Sequence, residues 1–108
     1  MPIIKLKEVD VKKALERSTG LIDELEELIK CPRDYFNLSV DTATYIKDGE
    51  IIEGPTMVEV AWFDRGQEIQ DETARIITKY INLAGYENVD VIFFPLNKSN
   101  YYENGNHF

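Results

Sequence analysis

Two stretches of this chain carry apolar residues at helical spacing, and each lies between segments that alternate as strands do. In "DVKKALERSTGLIDELEELI" the residues Val11, Ala14, Leu15, Ile22, Leu25, Leu28 and Ile29 recur at the steps of one helix face. In "QEIQDETARIITKYINLA" the residues Ile69, Thr73, Ile76, Ile77, Tyr80 and Ala84 do the same. Asp10 stands where an N-cap belongs, with Val9 and Ala14 placed for a hydrophobic staple, and Pro32 ends the first pattern. Gly85 closes the second. Each helix must bury its stripe against something, and the flanking strands supply it.

The strands read as "PIIKL", "YFNLSVDTATYI", "MVEVAWF" and "VDVIFFPL", with "KDGE" as a hairpin turn on Asp48-Gly49 leading into a short strand "IIE". The order is therefore β-α-β twice, with a small hairpin inserted between. Right-handed crossovers place both helices on the same face of one four-stranded mixed sheet, so the class is α+β. A chain of 108 residues fits one domain, which buries roughly two thirds of its unfolded surface. Residues 2–53 form the first unit with its hairpin, 56–96 the second, and 97–108 a polar, aromatic tail.

With Leu38, Val40, Val58, Val60, Trp62, Val91 and Phe93 turned to the helices, the other sheet face receives Asn37, Ser39, Asp41, Glu59, Ala61 and Asp90. It also receives Met57, Phe63, Ile92 and Phe94. Such a mixed face is either wet or closed by another copy of the chain, and free strand edges invite the second solution. An oligomer is the expectation.

Charge and cysteine content narrow the setting. Twelve basic against twenty acidic residues leave a net charge of −8, a field that repels phosphate backbones and anionic membranes. No apolar run reaches the about 18 residues that span a bilayer. The single Cys31 has no disulfide partner within the chain, which fits a reducing compartment, and the expected location is the cytoplasm. His107 is the only histidine, with no ligand-spaced cysteine or carboxylate, so neither a metal nor a cofactor is expected.

The initial Met-Pro, the tandem β-α-β units and the connecting segment "CPRDYFNLSV" together resemble the tautomerase superfamily, which includes 4-oxalocrotonate tautomerase and macrophage migration inhibitory factor. Within it, "VEVAWFDRGQEIQD" and "NYYENGNHF" are similar to a bacterial family of uncharacterised tautomerase-like domains, over nearly the whole chain. The resemblance implies a closed homotrimer. It also implies that Pro2, once Met1 is removed, uses its secondary amine to move a proton between carbon and oxygen of a small enolisable acid. Chemistry agrees, since a terminal amine titrates near about 7.7 to 8.0 and an apolar pocket or a nearby cation lowers that value towards neutrality. The competing reading is that Pro2 simply heads a strand, where its missing donor costs nothing.

A base needs a cation for the substrate carboxylate and a donor for the enolate oxygen. Arg65 in "WFDRGQ" stands between a strand end and a helix start, where free backbone donors and the helix dipole favour an anion. The superfamily arrangement brings Pro2 beside Phe63, Asp64 and Arg65, and Phe63 is the expected wall. Tyr35 matches a pocket-lining tyrosine of the migration-factor pattern, and Tyr101 and Tyr102 offer hydroxyls from the tail. Two expected cations are missing: Cys31 stands where migration inhibitory factor has a lysine, and Asn37 where 4-oxalocrotonate tautomerase has an arginine. Arg33 is the one nearby substitute, or else a solvated surface charge. Two classes of function stay open: an isomerase acting through Pro2 on a small anionic, enolisable metabolite, and a non-catalytic oligomer that binds a small molecule or protein in the same pocket.

Overall fold

Strand alternation and helical stripes meet in a single layer pair. The structure, a computed structural model, describes residues 1–108. Strand β1 (Ile3–Lys7) is followed by helix α1 (Val11–Ile29), strand β2 (Asn37–Asp41), and a hairpin of β3 (Tyr45–Lys47) and β4 (Glu50–Ile52). Then come β5 (Met57–Trp62), α2 (Gln67–Leu83), β6 (Asp90–Pro95), and a tail hairpin of β7 (Tyr102–Glu103) and β8 (Asn106–His107). The main sheet has the order β2-β1-β5-β6. Within each half the strands run parallel, as a crossover requires, and β1 lies antiparallel to β5 at the centre.

The core lies between this sheet and the two helices. Ile4 and Leu6 of β1 and Val58, Val60 and Trp62 of β5 are fully enclosed against Leu21, Leu25, Ile77 and Ile81. Fully burying each such side chain contributes roughly 1.5–3 kcal/mol against the chain entropy. Thr73 is buried among them without cost because its hydroxyl donates to the Ile69 carbonyl at 2.8 Å. Where the helices cross, Gly20 of α1 leaves room for Tyr80 of α2, whose hydroxyl donates to Glu24 beside Lys79.

Helix ends follow local chemistry. The Asp10 carboxylate accepts from the Lys13 amide at 3.1 Å, and α1 closes on Lys30 in the left-handed region, two residues before Pro32. The Asp48-Gly49 turn has φ of 49° and 78°, the mirror turn that suits a two-residue hairpin.

Two local expectations need correction. The segment "YFNLSVDTATYI" is not one strand: β2 stops at Asp41, and Tyr45–Lys47 pairs with β4 in a separate ribbon. Beyond Lys7 the partner strand turns away at Glu8 (φ 60°), and the Ala43 amide donates to the Glu8 carboxylate at 2.8 Å instead of continuing the ladder. Val11 and Leu15 share the helical period but lie 58% and 68% exposed, because α1 overhangs the edge strand β2. The tail is itself structured, as a hairpin turned by Asn104-Gly105 with φ of 52° and 84°.

Candidate active site

Strand direction decides which groups can meet. The starts of β1 and β2 and the ends of β5 and β6 lie at the same end of the sheet. The chain's first residues, the turn before β2, the loop after β5 and the tail after β6 therefore converge there. Between them is a cleft of about 490 Å³, lined by Met1, Cys31, Tyr35, Phe63, Arg65, Glu103 and Phe108. A larger groove of about 670 Å³ beside α2 and β6 is a more open trough, lined by Arg75, Thr78, Lys79 and Asn82 with the apolar Ala74, Leu83, Val89 and Val91. It holds no chain terminus and no aromatic wall, so the smaller, more enclosed cleft is the chemically richer one.

Met1 lines the cleft, and Pro2 follows it immediately before β1. Ile3 is opposite Ala61, and continuing that antiparallel register sets Pro2 beside Trp62 and Met1 beside Phe63. Pro2 is fully buried, and its carbonyl accepts from the Asn37 amide at 2.9 Å, which fixes the start of β1 against β2. Burial holds the Met1 amine below its ordinary value of 8.0, the Arg65 charge pushes it the same way, and Cys31 opposes both. Burial also pushes the Cys31 thiol above its ordinary 9.0, against the pull of Arg65 and the amine.

Arg65 is held in place rather than left to wander. Its guanidinium donates to the Phe63 carbonyl at 2.8 Å and lies 5.4 Å from the centre of the Trp62 ring. Gly66, with φ of 90°, turns the chain into α2, and its amide donates to Asp64 at 2.8 Å. No carboxylate is ion-paired with Arg65, so its charge is available to an incoming anion.

The tail closes the outer side. Tyr101 and Phe108 stack at 4.7 Å, and each ring lies 5.8 Å from Phe63. The Tyr101 hydroxyl donates to the Met1 sulfur at 3.0 Å.

The sequence-expected residues divide. Phe63, Arg65 and Tyr35 line the cleft, with Pro2 beneath it and Tyr101 at its rim. Tyr102 does not join them: it is 61% exposed and meets His107 edge-on at 5.8 Å, since adjacent residues of a strand face opposite ways. Arg33 does not either, because Asp23 at 2.7 Å and Glu26 at 3.3 Å hold it against α1. Four lining residues were not singled out: the Met1 side chain, Cys31, Glu103 and Phe108. An Asn-Gly pair between alternating residues signals a hairpin. Read at Asn104-Gly105, that signal would have brought Glu103 and Phe108 back towards the body.

Two β-α-β units on one mixed sheet are the fold of solved macrophage migration inhibitory factor-like proteins. A migration-inhibitory-factor-like protein from Entamoeba histolytica superposes with a TM-score of 0.74 at 16% identity, covering 99% of this chain and 98% of that one. More specifically, the chain belongs to the family described as "Domain of unknown function (DUF1904)", matched over residues 1–107. A member from Sebaldella termitidis is 34% identical over 100% of both chains, with a TM-score of 0.89. A protein of unknown function from Vibrio cholerae is 31% identical over 99% of this chain and 87% of its own, with a TM-score of 0.85. No curated protein matches the sequence.

Proposed function

We propose that this protein is a tautomerase or isomerase that moves a proton in a small enolisable keto or unsaturated acid, with Pro2 as the base once Met1 is removed. The observation that supports the reading is the meeting of Met1, the residue bonded to the Pro2 nitrogen, with the unpaired Arg65 in one aromatic-walled cleft. The Met1 amine is already held low there by burial and by Arg65. A Pro2 amine freed by processing would stand at a more deeply buried position than Met1, and burial disfavours the charged form. A base poised near the working pH transfers protons most efficiently. Arg65 takes the substrate carboxylate, and Phe63, Tyr35 and Phe108 wall the remainder.

The test begins with untagged protein whose intact mass establishes that Met1 is absent. Processed protein should ketonise phenylenolpyruvate faster than buffer, and Pro2→Ala should lower that rate by about 10²- to 10⁴-fold, the usual share of general-base catalysis. One observation favours the alternative, a non-catalytic oligomeric module binding a metabolite or protein. With Met1 in place the Pro2 nitrogen is a buried amide without basicity, and Met1 itself occupies the cleft. An alanine variant as fast as the processed wild type would select that module.

We also propose a cytoplasmic homotrimer. The sheet face away from the helices leaves Ile92 and Phe94 37% and 48% exposed, and β2 and β6 are free edges. Light scattering that returns a monomer at micromolar concentration would remove the trimer.

A further inference from the structure

The C-terminal tail contributes a hydroxyl whose only partner is a group that the proposed processing takes away. Tyr101 donates to the Met1 thioether sulfur at 3.0 Å, and a thioether is a weak acceptor. The ring itself has little freedom. It stacks on Phe108 at 4.7 Å with 16° between the planes, and Phe63 stands 5.8 Å away. The Phe108 amide donates to the Tyr101 carbonyl at 3.0 Å, which ties the end of the tail back across the residue. A rigidly held donor on a poor acceptor is arranged for a better acceptor.

Resting on the reading above for the class of ligand, we infer that the Tyr101 hydroxyl binds the C2 oxygen of a 2-oxo acid and stabilises its enolate, with the Met1 sulfur standing in that oxygen's place until Met1 is cut away. Removing one residue then does two things. It converts the Pro2 amide into a secondary amine, and it vacates the volume in front of Tyr101. Arg65, which lines the same cleft as Met1, fixes the carboxylate, so C3 is presented to Pro2 and O2 to Tyr101. The Pro2 lone pair takes a proton from C3, and the C–H electron pair becomes the C2–C3 double bond. The carbonyl π pair moves to O2, where the Tyr101 O–H meets the new negative charge without surrendering its proton. Ketonisation is the reverse: the enol gives its O2 proton to solvent, the Pro2 ammonium passes its proton to C3, and solvent reprotonates Pro2. Nothing is oxidised or reduced, and no co-reactant is needed.

Tyr101 is thereby separated from its neighbour Tyr102, whose ring faces His107 and solvent. The experiment compares processed wild type, Tyr101→Phe and Tyr102→Phe on phenylenolpyruvate, and titrates each calorimetrically with oxalate, whose adjacent carboxylates mimic a carboxylate beside an enolate oxygen. Losing one oxyanion donor costs about 10²- to 10³-fold in turnover. Tyr101→Phe should therefore lose about 10²-fold in kcat with KM changed only a few-fold, and should bind oxalate about ten-fold more weakly. Tyr102→Phe should match wild type in both. If Pro2→Ala abolishes turnover while Tyr101→Phe retains it, Pro2 keeps its role and the Tyr101 inference is overturned. Should processed wild type turn nothing over, the Pro2 reading fails and oxalate decides. A weaker Tyr101→Phe complex sustains the hydroxyl's role in binding, whereas equal affinity, or no binding by wild type, overturns it.

Discussion

Replacing Arg65 by methionine tests the electrostatic core of the site, because the longer apolar chain keeps the Trp62 face covered while removing the charge. In the folded protein the guanidinium makes one hydrogen bond, to the Phe63 carbonyl at 2.8 Å, and lies 5.4 Å from the Trp62 ring centre. A charged hydrogen bond contributes about 1.5–3 kcal/mol when enclosed, but Arg65 is only partly buried and solvent takes over much of that role on its loss. A cation over a partly exposed ring adds about 0.5–1 kcal/mol. The expected loss of stability is therefore about 1–2 kcal/mol, read as a lower urea midpoint with an unchanged slope.

Function should suffer more than folding. A carboxylate held by a guanidinium loses about 1.5–3 kcal/mol without it, so oxalate should bind roughly 10- to 100-fold more weakly. The same substitution acts on the terminal amine. Arg65 is the second cause, after burial, of that group's lowered value, so without the charge the amine should titrate higher in the methionine variant than in wild type. With processed protein, the acid limb of the rate profile should move to higher pH. Selective ¹⁵N labelling of the terminal residue would report the titration directly. An amine that titrates identically in both proteins, together with unchanged oxalate affinity, would show that Arg65 acts on neither, and the cleft would lose its anion site.

The other expectations are structural. Gly20→Ala should destabilise by about 1 kcal/mol or more despite the better helix propensity of alanine, because its Cβ would lie 2.8 Å from Cε1 of Tyr80, whose hydroxyl is anchored on Glu24. Tyr80→Ala in the same background should remove that penalty, and a double-mutant cycle without coupling would contradict the clash. For protein retaining Met1, the amine value is lowered on folding, so the unfolded chain binds more protons around the ordinary 8.0. Its contribution to stability is complete above that pH and is lost as pH falls through the folded value. Acetylating the amine should flatten this dependence, and a slope unchanged by acetylation would assign it to other groups.

The sequence reveals faces more readily than ends. Period alone placed both helices and assigned Val58, Val60 and Trp62 to the core, where they are fully enclosed. Period is silent on where a strand loses its partner. The break after Asp41 depends on Glu8, a residue 35 positions from the Ala43 amide it captures. The same limit applies to the site. Phe63 follows directly from β5, and Arg65 lies in the short loop before α2, so their place was readable from topology. Arg33 lies in a turn whose direction is set by tertiary ion pairs with α1, and those were invisible. Glu103 and Phe108 reach the cleft only because a two-residue turn folds the tail back, and their composition alone carried no position.

The tandem order raises a last question, why a duplicated fold should have one such cleft and not two. The exchange of β1 for β5 and β2 for β6 relates the halves about an axis through the sheet centre, and it carries the cleft to the opposite end. That end has the starts of β5 and β6, the ends of β1 and β2, and a groove formed by Thr56, Gly85, Tyr86, Glu87 and Asn88. The backbone arrangement is repeated there, but the chemistry is not. Residue 56 is joined to Pro55 by an ordinary peptide bond, so no amine can be freed at the start of β5. The tyrosine of that end is held at the start of α1, where the Tyr86 hydroxyl accepts from the Asp10 amide at 2.8 Å. The groove has an acid, Glu87, among its lining residues, and the cation beside it, Lys13, lies over the Tyr86 ring at 5.3 Å from its centre. The asymmetry comes from the chain terminus and from the tail, whose counterpart after β2, the β3-β4 hairpin, contributes no lining residue to that groove. A repeated scaffold thus supplies the strand arrangement twice, while Met1 and Arg65 meet in a cleft at only one end.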